Sequence, residues 1–327
     1  MKHILVGEHT SIEKTRNLID MVADTGFNVL ITGETGTGKE VVARLLHERS
    51  PRSKKRFVKV NCGALPGTLL ESELFGYEKG AFTGADHRKL GKFQVASGGV
   101  IFLDEIGDMS KDLQAKILEV LQSATFHPLG GKREIKADAW VIASTNRNLE
   151  EDVKAGLFRE DLYYRLNVIK IELLPLRERN DDIPLLIDHF VNLHSELIDT
   201  EEPFSIPEPL KTLFQEYNWP GNVRELANMV LRLLCGEKPV EIKEDIVRSL
   251  ELDRELSTEN ASSKIGETGH DSIVPLKTLK AQAEKAIQIR AIRFALQASN
   301  GNKRQAARVL GISYKTLYNK LDILGLS

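Results

Sequence analysis

The run Asn28-Val-Leu-Ile-Thr32 passes directly into Gly33-Glu-Thr-Gly-Thr-Gly-Lys39-Glu40 and then into Val41, Val42, Leu45 and Leu46, apolar positions at helical spacing. Few arrangements accommodate a buried strand, a glycine-punctuated loop and a helix that opens on a lysine. Glycines let the backbone approach a bound group closely, and the N–H groups at a helix N-terminus present positive potential to an anion. Gly33, Glu34, Thr35, Gly36, Thr37, Gly38 and Lys39 are therefore a candidate phosphate cradle, with Lys39 placed to neutralise the outer phosphates. Glu40 stands where such loops usually carry the Ser or Thr that contacts magnesium, which leaves that contact open.

Further strands are expected at Phe57–Val60, Gly99–Asp104, Ala139–Ala143 and Val168–Leu173, with a helix at 13–25 and helical stretches between the strands. That alternation predicts an α/β fold, a parallel sheet covered by helices on both faces. The apolar run Val100–Leu103 ends in Asp104-Glu105, so the end of a strand carries two carboxylates. An isolated acidic pair of this kind is most often only solvated. Coupled to a phosphate loop it supplies a magnesium ligand, Asp104, and a group that polarises the attacking water, Glu105. After Leu174-Pro-Leu-Arg-Glu-Arg179 the pattern becomes purely helical, at about 182–198, 207–217 and 222–235 with a short helix at 243–252, which reads as a lid. Pro220-Gly221 breaks the chain, and Asn222 is suited to cap the helix that follows.

The whole chain of 327 residues nets only −2, but the charge is unevenly spread. In 276–327 the basic residues, among them Lys277, Arg290, Arg293, Arg308, Lys315 and Lys320, are opposed only by Glu284 and Asp322, so the rest of the chain is acidic. Such a basic tail points to nucleic acid. Its sequence from Asn302 to Leu321 reads as two helices around a turn at Gly311: Ala306, Ala307 and Leu310 face inward, and Ile312, Leu317 and Leu321 anchor the second helix. Ser313, Tyr314, Lys315, Thr316, Tyr318, Asn319 and Lys320 then face a major groove, with Lys303 and Arg304 toward phosphates. A longer helix at 276–298 has apolar residues on more than one side and could both pack on this motif and dimerise. Asp253–Pro275, polar and low in aromatics, reads as a flexible linker. Cys62 and Cys235 lie far apart without histidines at ligand spacing, so no disulfide framework or zinc site is expected, and a reducing cytoplasm is the natural location. No run approaches the roughly 20 apolar residues of a membrane span, so membrane insertion is not expected.

Between the phosphate loop and the acidic pair lies Glu73-Leu-Phe-Gly-Tyr-Glu-Lys-Gly-Ala-Phe-Thr-Gly-Ala85, too polar and glycine-rich for a core element. It reads as a flexible hairpin tip in which Gly80 and Gly84 bracket Phe82 and Thr83 and present one aromatic ring outward. The hexapeptide Gly80-Ala81-Phe82-Thr83-Gly84-Ala85 resembles, letter for letter, the loop with which bacterial sigma-54-dependent transcriptional activators contact sigma-54. With the phosphate loop and Asp104-Glu105, the resemblance to the AAA+ domain of that family extends over about residues 4–235, and the tail resembles its Fis-type helix-turn-helix.

The resemblance implies an ATPase subdomain at 1–174, a helical lid at 175–252, the linker at 253–275 and the DNA-binding domain at 276–327. It implies ATP and Mg2+ as cofactors, and it accepts Glu40, which that family carries after the lysine. Asn61 matches the asparagine that restrains the catalytic glutamate, although a strand-end amide satisfied by backbone would look the same. Asn146, with Thr145 beside it, matches a nucleotide-sensing position after a strand. Arg159 and Arg165 match arginines offered to a neighbour's nucleotide, the alternative being a solvated helix with pairs to Glu160 or Asp161. Arg224, in Trp219-Pro-Gly-Asn-Val-Arg-Glu-Leu226, matches the lid's sensor. Where related tails often have arginine this one has Tyr314, so base contacts do not transfer.

A protein-unfolding AAA+ motor would lack the hexapeptide and the basic tail, and a simple DNA-binding regulator would lack the catalytic residues. The expected function is therefore an enhancer-binding activator that assembles from dimers into a hexameric ring and remodels the sigma-54 RNA polymerase holoenzyme. Almost nothing precedes the AAA+ segment. That leaves control by a separate partner in trans, control by abundance, or a truncated chain lacking a receiver domain.

Overall fold

The computed structural model describes residues 3–194 and 206–262, with the isolated positions Lys303 and Leu317 beyond them. In chain order it begins with helix α1 (Thr10–Val22), strand β1 (Val29–Thr32), α2 (Lys39–Arg49), β2 (Phe57–Asn61), α3 (Gly67–Phe75), β3 (Gly76–Tyr77), β4 (Lys89–Leu90) and α4 (Lys92–Val95). Next come β5 (Val100–Asp104), α5 (Lys111–Ser123), β6 (Thr125–Phe126), β7 (Ile135–Lys136), β8 (Trp140–Thr145), α6 (Leu149–Lys154), α7 (Glu160–Leu166) and β9 (Ile169–Glu172). Helices α8 (Ile183–His194), α9 (Glu208–Glu216), α10 (Asn222–Leu234) and α11 (Pro239–Ser262) follow. The chain divides into two units, 1–255 and 256–327.

The central sheet has strand order β2-β5-β8-β1-β9 and all its pairs are parallel. Parallel neighbours need crossovers, and helices on both faces bury both sides of each strand. Alternation along β5 makes this concrete. Ile101 and Leu103 join one core with Leu74, Ile117 and Leu162 of α3, α5 and α7. Val100 and Phe102 join the opposite core with Ile12, Ile19, Val42 and Leu46 of α1 and α2. The register sets Asn61 opposite Asp104 and Thr32 opposite Thr145. One edge of the sheet therefore gathers the ends of β1, β2, β5 and β8, the position at which an open α/β sheet receives ligands.

The lid has its own core of Phe214, Trp219, Leu226, Val230 and Ile242. Trp219 is fully buried with its Nε1 donating to Phe214 O at 2.8 Å, so the indole's one polar atom is satisfied.

Three expectations change in detail. The first helix starts at Thr10 rather than 13, because the His9 ring accepts from the Ser11 N–H and caps it. It stops at Val22, where Ala23 and Thr25 turn back on Ile19 and Val22. The short helix expected at 243–252 is α11, Pro239–Ser262, which runs into the segment read as a linker. Residues 253–262 contain neither Gly nor Pro, and their polarity marks solvent exposure as readily as it marks disorder. Asn222 caps nothing: its side chain reaches across to the phosphate loop.

Lys303 and Leu317 are helical, and Leu317 is buried. The positions expected to face a groove, Ser313, Tyr314, Lys315, Thr316, Tyr318, Asn319 and Lys320, together with Arg304 and the rest of the expected linker, lie outside the described residues. Cys62 and Cys235 are both free. No helix among the described residues is long and apolar enough to cross a membrane.

Candidate functional site

Lys39 opens α2 behind Gly38, whose φ is 108°, and is almost fully buried. Its Nζ donates to Gly33 O at 2.9 Å and pairs with Glu105 Oε1 at 3.3 Å. The loop thus folds around its own lysine, and Thr37 Oγ1 donates to Glu34 O at 2.8 Å to tighten the same turn. Glu105 itself has a left-handed backbone, φ 54°, a conformation that costs a non-glycine residue on the order of 1–3 kcal/mol. What holds it is a pair of contacts: Oε1 with Lys39, and Oε2 accepting from Asn146 N–H at 3.0 Å. Asn146 in turn donates from Nδ2 to Thr35 Oγ1 at 3.1 Å. The structure therefore brings Thr35, Lys39, Glu105 and Asn146 into one polar network at the carboxyl edge of the sheet.

Asp104 is fixed from two sides. Its Oδ1 accepts from Ser144 Oγ at 2.6 Å, and its Oδ2 lies 3.0 Å from Lys59 Nζ. The same ammonium lies 2.7 Å from Glu40 Oε2, and Glu40 also pairs with Arg44 at 2.7 Å. Burial pushes the pKa of Glu40 up, but the Lys59 and Arg44 contacts outweigh it and leave the group below the usual carboxylate range. Burial likewise works against the charge on Lys59, and the hydrogen bonds to Glu40 and Asp104 raise its pKa overall. No cluster of three or more His, Cys, Asp or Glu among the described residues could hold a metal on its own. Magnesium at a phosphate site needs none, since one or two carboxylates plus phosphate and water complete its shell. The hard oxygens of Asp104 and Glu40, already spanned by a cation, fit such an ion.

Asn61 sits beside these groups by register, yet its Oδ1 accepts from Gly63 N–H at 3.0 Å. In this conformation it is the backbone-satisfied strand end, and Glu105 is held by Lys39 and Asn146 instead. Arg159 pairs with Asp161 at 2.7 Å, the intrachain alternative raised by the sequence, and Arg165 donates to Leu121 O at 2.7 Å. Neither makes a hydrogen bond or ion pair with residues 33–40, so within this chain both arginines stand apart from the phosphate loop.

The lid docks directly on that loop. Arg177 forks onto Glu34 with contacts of 2.6 and 2.9 Å, and this fork is the main reason that the Glu34 carboxyl lies below its usual range. Asn222, fully buried and left-handed at φ 54°, uses its whole amide: Oδ1 accepts from Leu176 N–H at 2.7 Å, and Nδ2 donates to Glu34 Oε2 and Thr35 O, each at 3.1 Å. Arg224 N–H donates to Gly36 O at 3.3 Å, while its side chain is exposed. A Cβ on Gly36 would stand 2.2 Å from Gly221 O, so only glycine permits this approach. Arg177, Asn222, Ser144 and Lys59 are the site residues that motif reading missed. Each acts through a contact distant in sequence, and only the Leu174–Arg179 and Trp219–Leu226 segments carried any local signal.

The hexapeptide caps the β3–β4 hairpin, at a distance in sequence from the phosphate loop. Gly80 and Gly84 have φ of 83° and 95°, and Gly80 N–H donates to Ala85 O at 2.9 Å. Phe82 is 44% exposed and meets Tyr77 edge-on at 5.0 Å between ring centroids. Ala85 is buried, and Thr83 is exposed. Expected as a flexible tip, the loop is in fact hydrogen-bonded. Its base is also tied to the β6–β7 hairpin through Glu78 N–H to Leu129 O at 3.0 Å and Leu129 N–H to Gly76 O at 2.9 Å. Ala81 packs so closely on Gly130 that a Cβ there would lie 2.9 Å from that of Ala81.

Comparison with known proteins adds three family matches: the sigma-54 interaction domain at residues 5–172, the AAA+ ATPase lid domain at 177–265, and the bacterial regulatory protein, Fis family, at 286–322. The transcriptional regulatory protein ZraR of Salmonella typhi is 45% identical over 321 residues, spanning 97% of this chain and 68% of that protein. The DNA-binding transcriptional regulator NtrC of Azospirillum brasilense is 39% identical over 331 residues, with the same coverage of 97% and 68%. Among solved structures, NtrX from Brucella abortus in complex with ADP superposes with a TM-score of 0.68 at 33% identity, covering 99% of this chain and 70% of that one. NtrX in complex with ATP gives 0.66 at 31% identity, with coverage of 99% and 70%.

Proposed function

The chain belongs to the sigma-54-dependent transcriptional activators, with an AAA+ ATPase domain and a Fis-type DNA-binding domain, and on that premise we propose that it uses ATP hydrolysis to remodel the sigma-54 RNA polymerase closed complex. The observation that supports this reading is the separation of a polar cleft from an exposed aromatic within one domain. Lys39, Asp104, Glu105 and Asn146 meet at the carboxyl edge of the sheet, while Phe82 stands exposed on a hairpin that takes no part in that network.

Two of the similar solved structures are complexes of NtrX with ADP and with ATP, which supports a nucleotide at the corresponding loop here. When bound, Mg2+ supplies charge neutralisation across the phosphates. The chain's own residues do the rest. Backbone N–H groups from Gly33 to Lys39 cradle the phosphates, and Lys39 exchanges Glu105 for the anion. Glu105, released from that pair and kept in line by Asn146 N–H, polarises the attacking water. Arg224 approaches from the lid, and Arg159 and Arg165 serve the nucleotide of an adjacent subunit. The 1–174 segment acts as ATPase core and the segment from 175 to the end of α11 as lid, joined through a linker ending near 275 to the DNA-binding domain at 276–327. The partners are the sigma-54 holoenzyme, enhancer DNA and further copies of this chain in a cytoplasmic ring assembled from dimers.

Arg159 and Arg165 make their contacts with Asp161 and Leu121 rather than with their own phosphate loop, which supports the reading that a lone subunit is catalytically incomplete. ATP turnover per subunit is expected to rise steeply with protein concentration across the assembly range, measured as phosphate release alongside light scattering. Specific activity that stays flat through assembly contradicts the shared site.

A further inference from the structure

Lys59 belongs to no motif, yet it occupies the most consequential position in the cleft. It projects from β2, an edge strand of the sheet, and its ammonium contacts Glu40 Oε2 at 2.7 Å and Asp104 Oδ2 at 3.0 Å. Glu40 holds the sequence position of the usual magnesium-contacting hydroxyl, and Asp104 is the metal-ligand candidate at the end of β5. One ammonium thus spans both places from which a phosphate loop and its acidic strand reach magnesium. Ser144 engages the other oxygen of Asp104 at 2.6 Å, so Oδ2, the oxygen facing Lys59, is the one free to take a metal. Lys59 is also able to leave. Its side chain is 35% exposed and rides on a flexible four-carbon stem, and a compact ammonium is readily rehydrated.

We propose that Lys59 is a resident counter-cation that neutralises Glu40 and Asp104 in the metal-free site and must swing away for the metal-nucleotide to seat. The proposal rests on the magnesium-nucleotide reading above and assigns to this chain a residue that sets how much metal is needed. Without Lys59, Glu40 keeps its pair with Arg44, but the two carboxylates attract a divalent ion with one less positive charge opposing it. With it, the ion must first displace a positive charge. Glu40 then has a second role in this chain. A carboxylate in place of the hydroxyl gives the lysine its second anchor.

The test uses the full chain and a fluorescent N-methylanthraniloyl ADP, titrated at a series of buffered free Mn2+ concentrations. Lys59→Met is expected to lower the half-saturating Mn2+ for nucleotide binding by about tenfold, the effect of removing a partly screened charge at contact distance. Lys59→Arg, which keeps the charge, is expected to return it toward the wild-type value. Lys59→Gln, nearer to lysine in polarity, repeats the test should the methionine variant fold poorly. A half-saturating Mn2+ unchanged in both neutral variants overturns the proposal, and so does a rise, because the lysine would then be helping to bind phosphate. Failure of the wild-type chain to bind the nucleotide at any Mn2+ concentration would instead remove the nucleotide reading itself.

Discussion

Phe82→Ala is expected to leave ATP turnover and DNA binding near wild type while abolishing both capture of sigma-54 and promoter opening. The ring is 44% exposed at the hairpin tip and meets Tyr77 edge-on at 5.0 Å between ring centroids. It therefore has a free face to bury in a partner, and removing a buried aromatic anchor commonly weakens an interface by about 2 kcal/mol or more. A transient contact does not survive such a loss. The folded state is spared, because the buried residues in and beside this hairpin are Phe75 of α3, Ala85 and Phe93 of α4 rather than Phe82. The loop's ties to the second hairpin, at Leu129 and Gly130, are backbone contacts and close packing that the variant keeps. The check is capture of sigma-54 in the presence of ADP and aluminium fluoride, read beside phosphate release. Open complexes formed by the variant at wild-type yield would mean that the hairpin is not the coupling element.

Replacing Glu105 with glutamine is expected to reduce ATP turnover by a factor on the order of 10²–10⁴, the usual contribution of a positioned acid–base group. Nucleotide binding should stay as tight as in the wild type or become tighter. The sign follows from the geometry: Glu105 competes for Lys39 at 3.3 Å, and a neutral amide releases the ammonium to phosphate. The glutamine keeps an oxygen to accept from Asn146 N–H, so the strained backbone at φ 54° retains its support. Lys39→Ala separates the roles by weakening binding itself. Equilibrium nucleotide binding and single-turnover phosphate release on both variants make the comparison. Turnover within tenfold of wild type in the glutamine variant would assign water activation to another residue.

Much of this site was legible because its signals are local. The strand–loop–helix at 28–46, the apolar run ending in Asp104-Glu105 and the glycines around Phe82 each state their conformation within a few residues. Asn146 came from the family resemblance, at a position after a strand, and the observed network joins it to Thr35 and Glu105. What stayed hidden depends on pairing between distant segments. Ser144 reaches Asp104 only because β5 and β8 are neighbours in the sheet. Lys59 reaches Glu40 and Asp104 only because β2 lies beside β5. Asn222 looked like a cap because asparagine before a helix usually is one. Docking of the lid on Gly36 redirected its amide to Glu34, Thr35 and Leu176. Asn61 shows the limit from the other side: register put it next to Asp104, but a rotamer choice turned its oxygen to Gly63. Helix α11 extends into 253–262 because a polar stretch without glycine or proline leaves helix and coil equally open to composition.

The central claim is that hydrolysis at the Lys39–Glu105 cleft drives sigma-54 remodelling, and strand separation at a sigma-54 promoter tests it most directly. Permanganate reactivity of thymines around the start site would be followed with sigma-54 RNA polymerase and enough of this chain to drive its assembly. The account predicts reactive thymines with ATP and none with a non-hydrolysable analogue, although the analogue still binds. Thymines that stay protected with ATP despite measured turnover, or that open equally well with the analogue, would contradict it.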